Sequence, residues 1–148
     1  MGEVLVCVDF SEATERVLAA AINLAQSTGL TVRVVHVAAG EAELAGYDKE
    51  AFEAATPDKR AGQLRDEHGR LQELTDRLAA AGVSAAEPAL VMGHTAEQIE
   101  RLAGEFGADL VMVGSHGHGG LHHLLVGSVT EDLLRRSTRP VIVVPARQ

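Results

Sequence analysis

Short runs of β-branched and aliphatic residues with no polar face alternate along this chain with longer stretches of helical period. That alternation is the strongest constraint on what it can fold into. The runs EVLVCVD (3–9), TVRVVHV (31–37), SAAEPALVM (84–92), ADLVMVG (108–114) and PVIVVP (140–145) read as five strands, the third weakly written because Pro88 supplies no ladder donor. Between the first two lies SEATERVLAAAINLAQSTG (11–29). Ser11 is its expected N-cap, Val17, Leu18, Ala21, Ile22, Leu24 and Ala25 form its apolar stripe, and Gly29 its stop. A long amphipathic helix is expected from Pro57 to Ala81, with Leu64, Leu71, Leu74 and Leu78 at helical spacing and Gly82 at its end. A third helix should follow a Thr95 cap, and a fourth should run from Gly127 to Arg136. Residues 38–56 are polar and alanine-rich without a strong period, and read as a variable connection.

Strands that are apolar on both faces need helices on both faces, and intervening helices make the strands parallel. The expected fold is therefore α/β: a doubly wound five-stranded parallel sheet with four helices, in one domain over residues 1–148. In such sheets ligands bind beyond the carboxyl ends of the strands, where the winding direction reverses. With strand order 3-2-1-4-5, the ends of strands one and four, Asp9 and Gly114, are neighbours at that point.

Charge and composition exclude several partners. The formal net charge of −8 opposes binding to a polyanionic backbone, and an aromatic content of 3% without tryptophan leaves little to stack on bases. Nucleic acid is not expected as a partner. No apolar stretch approaches a membrane span, and MGEVLVCVDF carries acids where an export signal carries bases, so a cytoplasmic chain without a membrane partner is expected. The single Cys7 permits no internal disulfide and reads as a buried thiol.

The stretch VMVGSHGHGGLHHLLVGSVTEDLLRR (111–136) joins the fourth strand to the last helix. Gly114 and Gly117 remove the Cβ atoms that would keep backbone N–H groups from a bulky anion. Gly127 and Ser128 then open a helix whose free amides point at the same space, with the Ser128 and Thr130 hydroxyls as further donors. By itself, such a turn either holds an anion or simply reverses the chain. It is not a Walker loop, because no Gly-Lys pair occurs, and it does not fit the dinucleotide fingerprint.

The spacing Gly114-x2-Gly117-x9-Gly127-Ser128, together with VLVCVDFSE, ADLVMVGSHG and GSVTEDLLRRSTRPVIVVP, resembles the ATP-binding branch of the universal stress protein family over nearly the whole chain. The resemblance implies a fold of the nucleotide-binding α-hydrolase-like kind and ATP as ligand. It further implies that Asp9 bonds near the ribose or adenine, that Val37 faces adenine, and that Val8 and Val113 line the cleft. Gly114, His116, Gly117, Gly127, Ser128, Val129 and Thr130 would cradle ribose and phosphates. It also implies a homodimer through the last strand, Val141, Ile142, Val143 and Val144, an apolar edge bracketed by Pro140 and Pro145. Mg²⁺ is expected with the ATP, since no lysine stands near the loop to neutralise phosphate.

His116, His118, His122 and His123 crowd one loop, but adjacent histidines with no cysteine partner do not make a closed metal site, and no protein-only metal site is expected. His116 is expected on phosphate. His36 reads as a satisfied strand-end histidine, and His68 and His94 as surface residues. Asp9 has no second carboxylate tied to it by spacing, and Glu131 and Asp132 suit the helix dipole better than catalysis, so no catalytic residue is assigned. The function expected is an ATP-responsive regulatory or stress-tolerance module with an unidentified protein partner. The alternatives are a slow ATP hydrolase or phosphoryl or adenylyl transferase, and a structural dimer with an empty cleft.

Overall fold

The computed structural model describes residues 2–38, 57–115 and 128–145. The elements in chain order are β1 (Glu3–Cys7), α1 (Ala13–Thr28), β2 (Thr31–Ala38), α2 (Pro57–Ala80), β3 (Ala89–Met92), α3 (Thr95–Phe106), β4 (Leu110–Gly114), α4 (Ser128–Arg136) and β5 (Val141–Val144). The five strands form one parallel sheet in the order β3-β2-β1-β4-β5. β1 is central: Val6 pairs with Val34 on one side and Met112 on the other.

Alternation along each strand divides the core in two. Val4, Val6 and Val8, with Val32, Val34 and Met112, meet Val17, Leu18, Ala21 and Ala25 of α1 and Leu71, Leu74 and Leu78 of α2. Leu5, Val35, Val111 and Val113 face the other way, against Ala96, Ile99, Leu102 and Ala103 of α3 and Leu133 of α4. Fully burying an aliphatic side chain of this kind contributes roughly 1.5–3 kcal/mol. The two-faced apolar strands of the sequence are thus explained by helices on both faces.

Helix ends follow the glycines closely. Gly29 at φ 76° donates its N–H to Ala25 O at the end of α1, and Gly107 at φ 64° closes α3. The starts differ from expectation. α1 begins at Ala13 rather than directly after Ser11, and its cap position is Glu12; the Ser11 hydroxyl nonetheless accepts the Ala13 N–H at 3.3 Å, as an N-cap side chain does. The cause lies upstream: Asp9 Oδ1 accepts the Ser11 N–H at 2.9 Å and Phe10 sits at φ 61°, so the chain completes a side-chain-closed turn before it can enter the helix. Likewise α3 includes Thr95 and takes His94, in extended conformation and without a cap bond, as its N-cap. β3 is shorter than SAAEPALVM, because pairing becomes continuous only after Pro88, with a single earlier bridge from Val32 to Ala85.

Candidate functional site

The order reversal leaves the carboxyl ends of β1 and β4 side by side, and the chain leaves them towards opposite faces. Val8 prolongs β1 by donating its N–H to Val35 O at 2.9 Å, and Ser115 prolongs β4 by donating to Val144 O at 2.9 Å. Beyond Val8 the backbone turns through Asp9 and the left-handed Phe10, a conformation that strains a bulky residue by about 1–3 kcal/mol. Beyond β4, the first turn of α4 is drawn up to the strand end, because the buried Thr130 donates its Oγ1 hydroxyl to Gly114 O at 2.8 Å. The amides opening α4 and the carboxylate of Asp9 therefore border the same strand ends. Donors on one side and an acid on the other suit a ligand that carries both an anion and hydroxyl groups.

The expected site residues divide by position. Asp9 and Gly114 stand at the two strand ends, half-buried, and Thr130 is buried beside Gly114. Val8 and Val113 are 6% and 4% exposed on opposite faces of the sheet, so what they offer at the crevice is chiefly main chain. Val37, near the end of β2, is half-buried against the α3/α4 core, and Val129 is exposed in the first turn of α4. Thr130 differs from expectation in one respect: its proton goes to Gly114 O, so its role in this geometry is to seat α4. Ser128 opens α4. His116, Gly117 and Gly127, with His118, His122 and His123, lie outside the described residues. Val141, Ile142, Val143 and Val144 form β5 at the sheet edge, beside β4 alone.

A family model described as the universal stress protein family matches residues 1–145. The chain belongs to the universal stress protein family. It is 29% identical to universal stress protein YxiE of Bacillus subtilis over 97% of this chain and 98% of that one. To universal stress protein MJ0577 of Methanocaldococcus jannaschii it is 42% identical over 55 residues, 37% of this chain and 34% of that protein. The solved structure of MJ0577 aligns with a TM-score of 0.82 at 28% identity, over 99% of this chain and 96% of that one. The fold is also that of a universal stress protein from Archaeoglobus fulgidus solved in complex with dAMP, with a TM-score of 0.64 at 22% identity and coverage of 97% and 98%.

In this family member the turn after β1 is braced by a group that sequence reasoning found only in half. His36, at the end of β2, bonds through Nδ1 to Val8 O at 2.7 Å and through Nε2 to Glu67 Oε2 of α2 at 2.5 Å. Its ring lies 4.6 Å from that of Phe10, and the Arg70 guanidinium of α2 stands 5.3 Å from the Phe10 ring centre. His36 is the satisfied strand-end histidine that was expected; Glu67 was missed. The signal was available, because Glu67 sits at helical spacing among Leu64, Leu71, Leu74 and Leu78, an acid on an otherwise leucine-rich stripe.

Other groups are structural. Glu131–Arg135 and Asp132–Arg136 are i,i+4 pairs on the exposed face of α4, as their reading as helix-supporting acids expects. Burial pushes the Cys7 thiol well above its ordinary pKa, which leaves it a weak nucleophile. Among the described residues no three His, Cys, Asp or Glu side chains gather as metal ligands, and no helix is long and apolar enough to cross a membrane.

Proposed function

We propose that this chain binds ATP, with Mg²⁺, in the crevice between the ends of β1 and β4. It would act as a nucleotide-responsive regulatory module of the cytoplasm, dimerising through β5 and passing its nucleotide state to a protein partner. One observation carries the reading: the Thr130 to Gly114 bond seats the start of α4 beside the Asp9 turn, at the point where the sheet order reverses. Asp9 would accept from ribose hydroxyls. The opening amides of α4, with Gly114, His116, Gly117, Gly127, Ser128 and Val129, would hold phosphates, and Mg²⁺ would offset their charge in a chain whose own net charge is −8. The dAMP found on a protein of this fold supports an adenine nucleotide as the ligand class.

Binding is favoured over turnover because the two arginines of α4 are held by Glu131 and Asp132 rather than presented to a phosphate. Mass spectrometry of the ligand released from purified, denatured protein should find adenine nucleotide, and titration calorimetry should find tighter ATP binding with Mg²⁺ than with chelator. Gly127→Val should weaken that binding by about 10-fold, or 1.4 kcal/mol, with the circular dichroism spectrum unchanged. A folded variant with unaltered affinity would remove the assignment.

A further inference from the structure

His36 grips the chain on both sides of Asp9. Its Nδ1 meets the Val8 carbonyl, and its ring lies against Phe10, so the residues flanking Asp9 both rest on one imidazole. A carbonyl oxygen only accepts, so Nδ1 carries a proton. On the other side, Nε2 and Glu67 Oε2 would both be acceptors unless one proton lies between them. The pair is thus held together by a single proton, in a place where the two side chains are 11% and 13% exposed.

Packing alone does not ask for this arrangement. Residue 67 lies on the stripe of Leu71, Leu74 and Leu78 that fills the core on the α1/α2 face of the sheet, where a leucine would continue the apolar contact. The acid there leaves Glu67 Oε1 buried without a hydrogen-bond partner. It also joins α2 to a turn that is itself held in the left-handed region at Phe10. A costly polar pair and a strained backbone, both against Asp9, mark a functional turn.

We infer that the proton-bridged His36–Glu67 pair is a positioning device for the nucleotide site, holding the Asp9 turn in its binding geometry and linking it to the docking of α2. The inference rests on the nucleotide reading of the crevice. His36 and Glu67 are positioning residues that act through Val8 and Phe10. Among the described residues the Arg70 guanidinium of α2 stands over the Phe10 ring beside the pair, and Asp9 closes the turn that the imidazole holds. With both contacts of the imidazole made, the turn is clamped; without the Glu67 contact the imidazole, and with it Val8 and Phe10, is free to shift, and nucleotide affinity falls.

The test uses the full chain and ATP with Mg²⁺ in titration calorimetry. In Glu67→Gln the side-chain amide donates to an unprotonated His36 Nε2, so the clamp persists. Glu67→Gln should therefore bind within about twofold of the wild type. Glu67→Leu, which completes the apolar stripe, should keep its thermal midpoint yet bind about fivefold more weakly than the wild type. A folded Glu67→Leu protein with unchanged affinity, or a folded Glu67→Gln protein that binds as weakly as Glu67→Leu, would overturn the inference alone. Absence of nucleotide binding by the wild type would overturn the nucleotide reading and this inference together.

Discussion

Replacing Thr130 by valine removes one hydroxyl and almost nothing else. Thr130 is 4% exposed, and its Oγ1 reaches Gly114 O at 2.8 Å, so Thr130→Val keeps the packed shape while leaving that carbonyl without its donor. The net value of such a bond is about 0.5–1.5 kcal/mol, and an acceptor left unpaired in a partly buried position brings the loss to about 1–2 kcal/mol. For a chain of this size each kcal/mol moves the thermal midpoint by roughly 2–4 °C, so the midpoint should fall by about 2–8 °C. Thr130→Ser keeps the bond and loses a methyl group, at a cost of about 0.8 kcal/mol. Stability alone therefore separates the two variants poorly. Nucleotide affinity separates them well, because only the valine frees the first turn of α4 from the end of β4. Measured by scanning calorimetry and ATP titration, Thr130→Val should lose about threefold or more in affinity while Thr130→Ser stays near wild type. Equal affinities in the two variants, or a valine variant as stable as the wild type, would refute the role given to this bond.

The remaining predictions concern the edge and the surface. A dimer paired through β5 should shift toward monomer in sedimentation velocity when Val143→Lys is introduced, with folding checked by circular dichroism; a wild-type protein that is monomeric at high concentration would dismiss the interface. The exposed Glu15 carboxyl is held below its ordinary value by its hydrogen bonds to Arg77, at 2.7 and 2.8 Å. Because its folded pKa is depressed, its contribution is present above the ordinary glutamate range and is lost as pH falls through the lowered value. Arg77→Ala should therefore destabilise the chain at neutral pH by no more than about 1 kcal/mol, and the gap should close in acid denaturant titrations; a gap that widens in acid would contradict the assignment.

Much of the architecture was legible because it depends on local pattern. Continuous apolar runs and period-3.6 apolar spacing marked the five strands and four helices, Gly29 and Gly82 marked helix ends, and the absence of polar strand faces required helices on both sides of a parallel sheet.

What remained hidden involves partners far apart along the chain. The apolar pattern of α2 identifies its buried face but not what Glu67 meets there. Only the crossover that lays α2 over β2 and β3 brings that acid to His36, 31 positions earlier, and only the β1–β2 pairing brings His36 to the carbonyl of Val8. Local spacing specifies which face of an element is apolar, whereas the pairing of two polar groups on such faces follows from how the elements stack. Composition and spacing by themselves therefore determined a parallel sheet covered on both faces and the glycine turn after its fourth strand, whereas the order 3-2-1-4-5, which places the crevice, was decided by how the strands pair. The bonds that hold the crevice, Thr130 to Gly114 and His36 to Val8 and Glu67, were decided by tertiary packing, because a buried polar group takes whatever partner the folded chain sets within reach.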